Sequence, residues 1–222
     1  MEQDWSKLEE YHMNENLVKR NECLAQTVIK GLQSRNMSGY YAANKEEALK
    51  QALELIPEGS SIAMGGCMSA HEIGLIKALE EGNYNYIDRD KLDPRAGLMA
   101  AYDADVFLSS ANAITDDGIL VNIDGNSNRV SCIAQGPKKV IFIVGINKVC
   151  ADLDSAMKRA RNVAAPANAQ RFEVKTPCKT TGSCFKNAAA SSSFANSFAS
   201  FLMAGMRIPI TCSLGSPGIS LL

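Results

Sequence analysis

The chain lacks a surplus of charge of either sign. Its 23 basic and 24 acidic residues leave a formal net charge of -1, so no broad attraction to polyanions is expected. A platform of basic and aromatic side chains is missing too, and nucleic acid is not an expected partner. No stretch approaches the roughly 18 apolar residues of a membrane span. The opening, MEQDWSKLEEYHMNENLVKR, has no apolar core of a secretory signal. A soluble, cytoplasmic protein without membrane association is expected. Tandem repeats are absent. The 7 cysteines are odd in number and spread widely between Cys23 and Cys212, unlike the framework of a small disulfide-stapled domain, so reduced thiols fit better.

What is present is ordinary globular material. The 222 residues are 46% apolar and 21% charged, enough for one domain with an appendage and a substantial core. Residues 1–35 read as a long N-terminal helix packed on the domain, with Leu8, Tyr11, Leu17, Leu24, Val28 and Leu32 as its stripe. Asn44 is placed to cap a second helix, which Pro57 stops. Ser61 to Met64 reads as a short buried strand, followed by a glycine pair and a helix from about Ser69. Short strands are expected in YNYID, around Val106–Leu108 and in GILVNID. The continuous VIFIV run after Pro137 reads as a strand covered on both faces. Ala151 to Pro166 reads as a helix ended by its proline. Alternating strands and helices favour a layered α/β fold. Residues 185–222 form an atypical Ala/Ser-rich tail, either a helix with a Phe194, Phe198, Phe201, Leu202 stripe or loosely ordered chain.

Two constellations carry chemical content. Gly65, Gly66, Cys67, Met68 and Ser69 join a strand to a helix, where bare glycine backbone and free amides can hold phosphate or carboxylate. The same residues can simply make a tight turn, and the segment is neither a phosphate loop nor a dinucleotide fingerprint. Cys67, at a helix start, is a candidate thiolate, and His71 beside Glu72 invites an acid–base reading that a polar helix start equally explains. The second constellation, ANAITDDGILVNIDGNSNRV, offers Asn112, Thr115, Asp116, Asp117, Asn122, Asp124, Asn126, Asn128 and Arg129. Asp116 is the candidate base, the amides are orienting groups and Arg129 is an anion clamp. Turn formation accounts for the DDG and DGN pieces as well. Arg95 in DPRAG is a further candidate anion contact.

The ordered set GGCMSAHEIGL, SSANAITDDGILVNIDGNSNRV, GPKKVIFIVGINKV and RARNVAAPANAQR resembles the LUD-domain (DUF162, LutC/YkgG-like) family over roughly Asn14 to Cys184. The resemblance implies a Rossmann-like sheet of the NagB/RpiA/CoA-transferase type, with residues 36–184 as the α/β domain. It places a ligand pocket at Gly65 to Ser69 with Asn112, Asp116, Asn122 and Asn128 nearby. It implies a small anionic metabolite as ligand, a role in lactate or organic-acid utilisation, and partners among that pathway's iron–sulfur proteins or a second copy of the chain. Sugar-phosphate isomerase and CoA-transferase chemistry are the enzymatic alternatives, and no cofactor is specified. A non-enzymatic alternative is an interaction module built on the N-terminal helix and the Phe-bearing tail. Relatives that carry TPC and TGxC, as at Cys178 and Cys184, continue with further nearby cysteines. This chain proceeds instead into FKNAAASSSF, so two cysteines make an incomplete metal site unless Cys212 or a partner completes it, and no metal site is assigned.

Overall fold

A computed structural model describes residues 15–184, 199–203 and 210–215, the last two segments as backbone. The N-terminal helix, α1 (Glu15–Ser34), turns Asn21, Ala25, Val28, Ile29 and Leu32 inward at helical spacing. Leu8 and Tyr11 lie outside the described residues, and Leu17 is exposed. Each buried aliphatic side chain of this stripe contributes about 1.5–3 kcal/mol relative to exposure. After β1 (Ser38–Ala42) comes α2 (Lys45–Leu55). Asn44 caps α2 as expected, its Oδ1 accepting from the Glu47 amide at 2.8 Å. Glu47 Oε2 reaches back to the Ala43 amide at 2.9 Å, so two orphan donors are satisfied at once.

The chain continues through β2 (Ser61–Met64), α3 (Met68–Glu72), α4 (Leu75–Glu81), β3 (Asn85–Ile87), α5 (Pro94–Tyr102) and β4 (Val106–Ser109). A hairpin follows, β5 (Ala113–Thr115) with β6 (Leu120–Asp124), then α6 (Asn128–Ala134), β7 (Lys139–Gly145) and β8 (Val149–Cys150). The single helix expected after Gly66 is two pieces because Gly74 sits in the left-handed region, φ 77°. The helix expected to end at Pro166 runs on. Between α7 (Leu153–Arg159) and α8 (Ala165–Ala169), residues Ala160–Ala164 form a π-helical turn. Such a turn loosens the hydrogen-bond ladder where proline has no amide and crowds the preceding carbonyl. A short α9 (Pro177–Thr181) precedes β9 (Ala199–Met203) and β10 (Ile210–Gly215). Phe201 and Leu202 of the expected helical stripe are therefore in a strand, while Phe194 and Phe198 lie outside the described residues.

Six strands form a parallel sheet in the order β1-β10-β7-β4-β2-β3. The VIFIV run shows why β7 has no polar positions. Val140, Phe142 and Val144 enter the core under α1, α5 and α6, with Phe107 and Ala63. Ile141 and Ile143 enter the opposite core with Ile62, Val106 and Leu108, under α2, α3 and α4. Alternate residues thus meet helices on both sides, the condition for an apolar parallel strand. The second sheet has the order β8-β5-β6-β9. Ala113, Val121 and Ile123 pack on Ala156, Ala160 and Ala165 of the last helical segment, while Ile114 and Leu120 join the first core. Because the large sheet is all parallel, the loops after β2, β4 and β7 gather at one edge.

Candidate functional site

At that edge Arg129 is the hub. Its Nε donates to Asp124 Oδ1 at 2.9 Å. Its Nη1 donates to the Ser110 carbonyl at 2.7 Å and to Asn122 Oδ1 at 2.8 Å. Its Nη2 donates to Asn112 Oδ1 at 3.0 Å and to the Ile123 carbonyl at 3.1 Å. A guanidinium has five N–H groups, and all are engaged. Asp124 gives its second oxygen to the Val130 amide at 2.7 Å. The pair is secluded, with side-chain exposures of 14% and 8%. Arg129 therefore ties β4, the β5–β6 hairpin and α6 together, and has no free donor for a ligand; it lends the site charge. Its stem also explains Gly65, where a β-carbon would lie 2.8 Å from Arg129 Cγ and 2.5 Å from Phe107 Cζ. The Gly65 amide bonds the Leu108 carbonyl at 2.9 Å. Gly66 is different: its φ is 60° and the space beside it is open.

The cationic groups with spare donors are Lys148 and Arg159. Lys148 follows β7 and is 2% exposed, with Nζ donating to Ser110 Oγ at 2.9 Å. Burial pulls its pKa down to about 8, with Cys67 and Glu72 opposing and Arg159 and Arg129 reinforcing the shift. Arg159 donates from Nε to the Asn147 carbonyl at 3.2 Å and from Nη1 to the Asn112 carbonyl. Burial lowers its pKa as well. Cys67 is fully buried, and desolvation pushes its thiol up to about 11 despite Lys148 and Arg129 nearby. It is no ready thiolate.

Four buried side-chain atoms lack a hydrogen-bond partner among the described residues, and three belong to this neighbourhood: Ser69 Oγ, Glu72 Oε2 and Asn122 Nδ2. Ser69 and Asn122 are both 0% exposed. Ser69 and Glu72 are three apart on α3 and share a face. Native proteins rarely leave such atoms unsatisfied without something to fill the gap.

Of the other residues singled out in the sequence, Met68 is half-buried at the start of α3. Asn112 stands in the network, also accepting from the Ile123 amide at 2.8 Å. Asn128 is exposed at the start of α6, its carbonyl accepting from Ser131 Oγ at 3.1 Å. Asp116 is not brought to this cluster. It follows β5 whereas Asn112 precedes it, a separation of roughly 13 Å along extended chain, and its amide bonds the Cys150 carbonyl at 2.9 Å. Asp117 and Gly118, in the β5–β6 turn, pack against the N-terminal helix and its end: Asp117 pairs with Arg35 at 2.6 Å, and the turn backbone presses on Gly31. The Thr115 hydroxyl, with Arg35, holds the Asp117 carboxyl below its usual range. His71 and Arg95 are exposed. Cys178 and Cys184 are buried, and no group of three or more metal-ligating side chains occurs among the described residues. Two shallow depressions, lined by Val174–Thr180 residues and by Gln33–Tyr40 residues, contain none of the edge cluster.

Lys148, Ser110 and Arg159 were not singled out in the sequence. The signal for Lys148 was its place in GINKV, directly after the covered strand VIFIV, where an α/β sheet gathers its ligands.

A parallel, doubly covered sheet with a cationic cluster at the carboxyl ends of its strands defines a Rossmann-like α/β protein with a strand-edge site. The chain belongs to the LUD domain family, whose model matches residues 25–194. It is similar in structure to a DUF162 family protein from Deinococcus radiodurans, with 10% sequence identity, a TM-score of 0.52, and coverage of 88% of this chain and 98% of that one. Likeness at that identity speaks for the fold alone. No curated protein matches the chain. No helix among the described residues is long and apolar enough to cross a membrane.

Proposed function

We propose that this LUD-domain protein binds a small anionic metabolite at the Lys148 edge and serves lactate or organic-acid utilisation in the cytoplasm. One observation supports the binding reading: buried atoms of Ser69 and Glu72 on α3 and of Asn122, whose Oδ1 accepts from Arg129, have no hydrogen-bond partner, in a neighbourhood that holds Lys148, Arg159 and Arg129, of which Arg129 alone has an ion-pair partner among the described residues. The anion is held by Lys148 Nζ and Arg159, with Ser69 and Asn122 as neutral donors and Gly66 at the open side. Gly65, Cys67, Met68, Asn112 and Arg129 shape the site. The pathway assignment rests on the family, as do iron–sulfur protein partners and self-association.

Calorimetry of the full chain against L-lactate, pyruvate, ribose 5-phosphate and coenzyme A tests the binding reading. Saturable binding of one class, weakened by salt and lost in Lys148→Met, is the expected outcome; folded protein that binds none of them sinks it. Affinity capture of lactate-pathway iron–sulfur proteins tests the pathway. The enzymatic alternative, isomerase-like or CoA-transferase-like turnover, draws on the half-buried Glu72, one oxygen of which is buried and unpartnered, more than on Asp116, which stands at the other end of β5. Unchanged turnover in Asp116→Asn and its loss in Glu72→Gln would support that order.

A further inference from the structure

We propose that Lys148 is a covalent site, its Nζ forming an imine with the carbonyl carbon of a small 2-oxo carboxylate while Glu72 carries the proton. This rests on the anion-site reading and specifies its ligand class. Lys148 is buried, yet no carboxylate lies within ion-pair distance of it among the described residues. Its one direct side-chain partner among them is a neutral hydroxyl, Ser110 Oγ. A buried amine left without a counterion and crowded by cations gives up its proton readily, and that combination produces nucleophilic lysines. At a pKa of about 8, an appreciable fraction is neutral near physiological pH. Ser69 and Asn122, wholly buried with atoms unsatisfied, offer donors to an oxygen of the incoming ligand. Glu72 lies within electrostatic reach of Lys148 and has one unsatisfied oxygen.

The chemistry balances without an oxidant or reductant. The nitrogen lone pair forms a bond to the carbonyl carbon and the C=O π pair moves to oxygen; Glu72 takes one proton from the nitrogen and hands it to that oxygen, giving the carbinolamine. The nitrogen pair then closes the C=N bond as the C–O bond breaks, and the remaining N–H proton passes through Glu72 to the departing hydroxide, which leaves as water. Arg159 pairs with the carboxylate throughout.

The test is reductive trapping. Full-length protein is incubated with pyruvate and cyanoborohydride, then weighed intact and mapped by peptide. The expected product adds pyruvate less one oxygen, once per chain and at Lys148, and L-lactate gives none. Trapping should rise with pH to half its plateau near pH 8, and Glu72→Gln should slow it on the order of a hundredfold with binding retained. Pyruvate that binds saturably by calorimetry without trapping at Lys148 overturns the imine and leaves the anion site standing. Absence of binding overturns both. Addition spread over exposed lysines such as Lys77, or a Glu72→Gln variant that traps at the parent rate, also overturns the assignment.

Discussion

Arg129→Ala separates a structural tie from an anion clamp. The substitution removes five donated hydrogen bonds at once. It leaves the Asp124 carboxylate, 8% exposed, with the Val130 amide as its remaining partner. Removing one member of a buried ion pair destabilises by about 3–5 kcal/mol, because the survivor keeps its desolvation penalty. The Ser110 and Ile123 carbonyls and the Asn112 and Asn122 amide oxygens each lose one donor, although Asn112 keeps the Ile123 amide and Ser110 the Ser109 hydroxyl, and these losses keep the value at the upper end of that range. Against a total stability of about 5–15 kcal/mol, this is a third or more. Urea unfolding followed by circular dichroism should move the midpoint down by about 1–3 M at constant slope. The melting temperature should fall by roughly 6–20 °C. Arg129→Lys keeps the charge but offers three donors from one atom instead of five from a planar fork, so it should recover less than half of the loss. A clamp would behave oppositely, losing ligand with stability near the parent's. A loss under about 1 kcal/mol in Arg129→Ala would refute the tie.

Three further outcomes follow from the same edge. Gly65→Ala should destabilise by about 2–3 kcal/mol through overlap with Phe107 and Arg129, whereas Gly66→Ala, in open space at φ 60°, should lose only about 1 kcal/mol; equal losses in urea melts would contradict this. Lys148 has a folded pKa of about 8 against 10.5 unfolded, so the unfolded chain binds more protons between those values. Parent stability should therefore rise with pH across that window relative to Lys148→Met, and parallel pH–stability curves would refute it; the difference matters because Cys67, raised to about 11, pulls the other way above pH 9 in both. Iodoacetamide at pH 8 should label exposed Cys23 and spare Cys67 in folded protein, and mass mapping that finds Cys67 labelled first would reject its assignment as an inert thiol.

The sheet was legible because its signals are local and redundant. VIFIV admits no polar residue since both its faces are covered, and Asn44 with Glu47 spells a cap in four residues. Pro166 misled because a π turn accommodates a proline inside one continuous helical run. The site was legible only by neighbourhood. Arg129 and Asn122 stood out within a dense polar constellation around strand ends and turns, but whether an arginine serves a ligand or the fold depends on how many acceptors surround it, and those come from β4, β6 and the turns between. Asp116 and Asp117 carried the strongest local signal for chemistry, yet Asp117 serves α1 through Arg35. Lys148 had the weakest, a single lysine among ordinary loop residues, because its burial is set by elements distant in sequence.

The position of β10 bears on where a gene fragment can be cut. Its residues pair with β1 on one side and β7 on the other, and β1 has no other strand neighbour among the described residues. A fragment trimmed to the family match, residues 25–194, would begin in the middle of α1 and stop before the strand that attaches β1 to the sheet. Such a fragment keeps every residue of the Lys148 edge and still loses the mortar between its first strand and the rest. Expression vectors for ligand screening should therefore carry the chain through Gly215 and start no later than Glu15.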